Sequence, residues 1–98
     1  GKIELERTAK LCFYKTHYLI NKIKLIEGYT IPFDKNIIME FLIKPPKQAG
    51  KIAKEALKEN IYLKTVKYNN EDHLLIAVTE KRTKSQLNEL INFLKKYK

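Results

Sequence analysis

The chain has 98 residues, 44% of them hydrophobic, which suits one small domain over 1–98 with its own core and is too short for two. Lysine and arginine total 20 against 11 acids, a net charge of +9, yet only Arg7 and Arg82 carry the guanidinium fork used for base reading; this argues against specific nucleic-acid recognition and leaves a small basic polyanion- or RNA-binding module as the alternative function. The single cysteine excludes an intramolecular disulfide and fits a reducing, cytoplasmic setting, and the absence of a signal-peptide pattern and of any apolar run of about 18 residues gives no reason to expect a membrane partner.

Gly1, where a Met would stand, reads as a tag remnant or as the result of Met removal. Residues 3–27 then carry the longest helical signal. Leu5, Ala9, Cys12, Thr16, Leu19, Ile23 and Ile26 recur in steps of four and three, Phe13 and Ile20 widen the stripe, and Gly28 is placed to end the helix in the left-handed conformation. Leu11, Tyr14, Tyr18 and Leu25 fall on the other side of this helix, within about 60° of one another, and form a candidate docking face. Cys12, inside the stripe, reads as a buried structural thiol and not as a nucleophile.

Tyr29–Phe33 is a short extended piece that Pro32 confines to an edge or strand end. After a polar turn, residues 36–44 read as a strand. Ile37, Met39, Phe41 and Ile43 line one side, and Ile38, Glu40 and Leu42 the other, so a central position is expected, with Glu40 paired or solvated. Pro45-Pro46 stops it. Residues 48–59 place Ala49, Ile52, Ala53, Ala56 and Leu57 at helical spacing, and Asn60 is a suitable C-terminal cap.

Residues 61–68 alternate imperfectly and read as an edge strand guarded by lysines, joined through the polar cluster Asn69–Asp72 to a second strand over 73–80. Five successive apolar residues, Leu74–Val78, suggest burial on both faces. Thr79, Glu80, Lys81 and Arg82 follow where that strand leaves the sheet and form a candidate interface or anion contact. Thr83 and Gln86 have the spacing of a capping box, and the last helix runs to about Tyr97 with Leu87, Leu90, Ile91 and Leu94 inward. The order is α-β-β-α-β-β-α. It implies an α+β fold, a small antiparallel or mixed sheet with helices mainly on one face.

Visible catalytic chemistry is sparse. No glycine-rich phosphate loop is present, and neither His17 nor His73 has cysteine or acidic partners at metal-ligand spacing. No catalytic, cofactor-binding or metal residue is assigned within the chain.

The run Leu74-Leu75-Ile76-Ala77-Val78-Thr79-Glu80-Lys81-Arg82-Thr83-Lys84, followed by an amphipathic helix, closely resembles the carboxyl end of the glycine dehydrogenase (decarboxylating) family. This is the P-protein of the glycine cleavage system, and the likeness is to subunit 1 of its split form. Ala9-Lys10-Leu11-Cys12 and His17-Tyr18-Leu19 extend the resemblance to the first helix. Glu40-Phe41 stands where the family has Phe-Asn-Glu-Phe, with Ile38 and Met39 replacing the first two. The resemblance implies the small C-terminal domain of a fold-type I pyridoxal-phosphate oxidoreductase, whose large domain would precede Lys2. It also implies that the Schiff-base lysine lies in subunit 2, and that the parent decarboxylates glycine and passes the aminomethyl group to lipoylated H-protein. Pyridoxal phosphate would then belong to the parent complex and not to this chain. Leu75 stands near the position of a carboxylate-binding arginine in many fold-type I enzymes, which implies a supporting role. The outer face of the first helix would pack on the large domain.

Overall fold

The computed structural model describes residues 2–32, 40–79 and 81–97. Its elements are α1 (Lys2–Lys24), β1 (Glu40–Ile43), α2 (Ala49–Lys58), β2 (Lys64–Tyr68), β3 (Glu71–Ala77) and α3 (Lys84–Lys95). All pairings are antiparallel and the strand order is β1-β3-β2. The strand preceding the last helix is therefore central. Asn69 and Asn70, at φ 52° and 64°, supply the two left-handed residues that a tight β2–β3 hairpin requires.

Register separates the two faces of the sheet. Phe41 lies opposite Ile76 and Ile43 opposite Leu74, and all four are buried on the side covered by the helices. They join Leu19, Ile20 and Ile23 of α1, Ile52 and Ala56 of α2, and Leu87, Ile91 and Leu94 of α3 in one core. The small alanines at 49 and 56 are fully enclosed, as expected where a helix lies close on a sheet. On the other face Leu42 pairs with Leu75, and Lys64 flanks Leu75 from β2.

Several local expectations change. Residues 36–44 narrow to Glu40–Ile43 among the described residues; Ile37, Ile38 and Met39 lie outside them. β1 is an outer strand of the sheet and not its centre, because both other strands flank β3. Among the described residues its far side is met by Thr30, whose N–H donates to Lys44 O at 3.0 Å while Lys44 N–H returns to Thr30 O at 2.7 Å. The extended piece at 29–33 thus contributes an isolated bridge. Burial of Leu74–Val78 on both faces does not hold either: Leu74, Ile76 and Val78 are buried, Leu75 is half-buried and Ala77 exposed. The apolar run is continuous although the helices cover one side only.

Cys12, Thr16, Leu19, Ile20 and Ile23 of the α1 stripe are buried, whereas Ala9 and Phe13 stand exposed. In α2 Leu57 points outward, and in α3 Phe93 is buried while Leu90 is half-buried. α1 ends at Lys24 and not at residue 27, so Gly28 lies in the turn beyond the helix and does not cap it directly, whereas the end of α2 follows its signal. Gly28 has φ 89°. Asn60, at φ 61°, closes α2 through Asn60 N–H to Leu57 O at 3.1 Å and Ile61 N–H to Ala56 O at 2.9 Å, the paired bonds of a Schellman ending.

Candidate functional site

The segment after β3 is shaped by two local bonds. Arg82 N–H donates to Thr79 O at 3.2 Å, turning the chain back toward α3. Thr83 then opens that helix: Gln86 N–H donates to Thr83 Oγ1 at 3.1 Å, and Gln86 Oε1 accepts from Thr83 N–H at 3.0 Å. The reciprocal bonds satisfy two otherwise orphaned donors. Thr79, Lys81 and Arg82 are all exposed around this turn, and Glu80 lies outside the described residues.

A cavity of about 380 Å³ opens beside it, lined by Arg82, Tyr62, Leu63, Ile76, Val78 and Leu87 among others. Its cause is visible in the ladder. β2 leaves β3 at Lys64 opposite Leu75, while β1 follows β3 on to Ala77 opposite Glu40, so the chain at 61–63 parts from the end of β3. Its lining sets Arg82 and the carboxylates Glu59 and Glu89 beside the apolar Leu63, Ile76, Val78 and Leu87. No cysteine, serine, histidine or lysine occurs among its described lining residues, and one arginine with two carboxylates makes it a mixed contact or binding surface. Tyr62 and the parting of the strands had no signal in the sequence pattern.

The uncovered sheet face carries Leu42, Leu75 and Val66, half-buried, and Ala77, exposed. His73 is buried at its margin, its Nδ1 2.9 Å from Glu71 O and its ring edge-on to Tyr68 at 5.5 Å. Glu71 also pairs with the Lys44 ammonium, whose hydrogen bond and charge hold the carboxyl below its ordinary range. Leu75 itself has no charge to offer a carboxylate, and the cation nearest it in the ladder is Lys64, opposite on β2.

The candidate docking face on α1 is only partly assembled. Leu11, Tyr14 and Leu25 are exposed, at 44%, 66% and 81%. Tyr18 departs from the expectation of a free surface: its hydroxyl donates to Asn88 Oδ1 of α3 at 2.7 Å, and the Lys22 and Lys84 ammonium groups lie 5.7 and 5.5 Å from its ring centre. α3 packs against that side of the helix, which the periodicity of α1 alone does not reveal. Phe13 takes its place in the exposed aromatic surface. Its ring meets Tyr14 edge-on at 5.8 Å and tilts over His17 at 4.3 Å. No group of three His, Cys, Asp or Glu side chains suited to a metal occurs among the described residues.

No family model matches the chain. Among curated proteins it is 36% identical over 96 residues to probable glycine dehydrogenase (decarboxylating) subunit 1 of Chloroherpeton thalassium, covering 97% of this chain and 22% of that protein. The protein of the same name from Chlorobium limicola is 32% identical over 95 residues, with 96% and 21% covered. The chain thus spans about a fifth of the length of these relatives. Among solved structures, glycine decarboxylase (P-protein) of the glycine cleavage system superposes on all of the chain, and 23% of its own, with a TM-score of 0.89 at 21% identity. Oryza sativa TDC, solved with PLP and tryptamine, follows 99% of the chain and uses 24% of its own, at a TM-score of 0.87 and 9% identity. At these identities the structural likeness shows a shared fold. The chain is therefore related, along almost its whole length, to one segment of the proteins named probable glycine dehydrogenase (decarboxylating) subunit 1.

Proposed function

We propose that this chain is the small C-terminal domain of a glycine dehydrogenase (decarboxylating) subunit of the split type, working in the cytoplasm as part of the glycine cleavage system. The supporting observation is 36% identity sustained over 97% of the chain to a subunit 1 protein. In this reading the parent decarboxylates glycine with pyridoxal phosphate and hands the aminomethyl group to lipoylated H-protein, in company with subunit 2. The chain's own part is structural. It completes the fold of its subunit and supplies contact surfaces.

The residues present do not fit covalent attachment of the cofactor. A Schiff-base lysine is an amine desolvated by its pocket. Every lysine whose side chain is described here is exposed except the half-buried Lys15, and the cavity beside Arg82 has no lysine in its lining. No step is assigned to these residues. Thr79, Lys81 and Arg82, with Glu80, are assigned instead to a contact with an anionic group of the assembly, Arg82 also lining the cavity. Leu42, Leu75 and Ala77 present an apolar face to the rest of the subunit.

The size of the native polypeptide tests the reading. Because the chain matches 22% of its relative, the cellular product bearing this sequence should be about four and a half times as long. An antibody against α3 detecting only an 11.6 kDa product would overturn it.

A further inference from the structure

α2 turns one side to the core through Ala49, Ile52 and Ala56, and its other side is open. At about 100° per residue, Gly50, Lys51, Lys54, Leu57 and Lys58 gather within about 120° on that open side. All five are exposed, Leu57 at 62%. The two acids toward the end of the helix are engaged: Glu55 accepts from Lys58 Nζ at 3.2 Å and Glu59 from Lys96 Nζ at 3.0 Å. Among the described residues no acidic side chain pairs with Lys51 or Lys54. Gly50 adds a second, independent observation. Its backbone is helical without a positive φ, and a Cβ there would meet nothing within 4 Å. Neither a turn nor crowding within the described chain calls for glycine, and glycine is among the poorest residues for a helix. What it supplies is a smooth floor beside Lys54 where another backbone can come close.

We propose that Gly50, Lys51, Lys54, Leu57 and Lys58 form a docking strip for an acidic stretch of a separate protein, whose carboxylates meet the lysines and whose main chain passes close over Gly50. The inference goes beyond the reading of the chain as part of a glycine dehydrogenase subunit and stands without it. Charge complementarity selects the occupant. The net charge of +9 draws an anionic partner from a distance, and three ammonium groups on one helix face give it a local counter-charge. The strip holds no arginine for base or bidentate phosphate recognition and no aromatic ring on which a base could stack, so it suits a nucleic acid poorly. Leu57 alone is too little for a membrane surface, which takes a whole apolar face, and α2 has already buried that face in the core. The helix has ten residues and is about 15 Å long. One face of it lies well below the ~800 Å² per partner of a stable interface. The contact is therefore one that forms and releases, governed by salt.

The test titrates the full polypeptide bearing this segment into a fluorescent peptide of repeated Glu-Glu-Leu units, read by anisotropy, with oligouridylate of equal charge and phosphatidylserine vesicles in parallel. The peptide should bind more tightly than either, and its affinity should fall about tenfold between ~50 and ~300 mM salt. Lys51→Gln with Lys54→Gln should lose about tenfold in affinity, whereas Lys64→Gln with Lys67→Gln, the same change of charge on β2, should change it less than about twofold. Gly50→Leu should weaken binding several-fold while preserving or raising the thermal midpoint. Charges that are merely solvated would not produce that combination. Failure of the peptide to bind, tighter binding of oligouridylate or vesicles, or equal losses from the two lysine pairs would overturn the proposal. So would unchanged binding by Gly50→Leu. Resistance of Lys51 and Lys54 to an amine-acylating reagent in the full polypeptide would also overturn it, because the strip would then be covered by its own chain.

Discussion

Tyr18 and Asn88, 70 residues apart in sequence, are joined by a 2.7 Å hydrogen bond from the tyrosine hydroxyl to the amide oxygen. The bond fastens the middle of α1 to α3 and draws Tyr18 out of the free surface that helical periodicity assigns to it. It is half-buried, so water can replace part of what is lost. Tyr18→Phe and Asn88→Ala should each lower stability by about 1 kcal/mol, and a double-mutant cycle in urea should show coupling of similar size. Additive losses would mean that the bond contributes nothing.

Tyr29 provides the second tie, its hydroxyl donating to Leu94 O at 2.8 Å near the end of α3. Burial, and secondarily Tyr97, push its pKa up to about 12 from the ordinary 10.0. The folded chain therefore keeps a proton that the unfolded chain releases. This contribution to stability is complete below pH 10 and is lost as pH rises toward 12. Unfolding measured from pH 8 to 12 should show a loss that Tyr29→Phe removes, the variant itself being about 1 kcal/mol less stable at neutral pH. An identical alkaline loss in both proteins would place its origin elsewhere.

Gly28 cannot be replaced cheaply. Its φ of 89° disfavours a side chain, and a Cβ there would come within 2.7 Å of Pro46 Cβ. Left-handed strain and overpacking together should cost Gly28→Ala about 2–4 kcal/mol, seen as a drop in the thermal midpoint. A variant as stable as the parent chain would show that the turn after α1 is not held against Pro46.

Thr83 caps α3 at the exposed end of the molecule, away from such crowding. Thr83→Ala removes one of the two reciprocal bonds and should cost about 1 kcal/mol, whereas Thr83→Ser should cost little. Equal behaviour of the two variants in urea would contradict a cap acting through its hydroxyl.

What the sequence revealed followed the range of each signal. Local chemistry was legible: the Thr83–Gln86 box, the paired asparagines of the hairpin, and the ending at Asn60 all rest on residues a few positions apart. Strand order was not. Residues 41–43 and 74–78 are both apolar, and only long-range pairing puts β3 between the other two strands. Phe13 lies at the margin of the α1 stripe, where helical angle alone cannot separate core from surface, and Tyr18 changes sides because α3 happens to meet it. The candidate segment Thr79–Arg82 was visible as a polar cluster closing an apolar strand. The cavity beside it was not, since it arises where β2 and β3 part.

The most direct test of the account is glycine turnover by the assembled parent. The full polypeptide bearing this segment is combined with subunit 2, pyridoxal phosphate and lipoylated H-protein, and release of carbon dioxide from carboxyl-labelled glycine is followed. Release should require both subunits, and it should disappear when residues 1–98 are deleted from an otherwise soluble subunit. An assembly that leaves glycine intact, or one that works equally well without the segment, would contradict the function proposed for this chain.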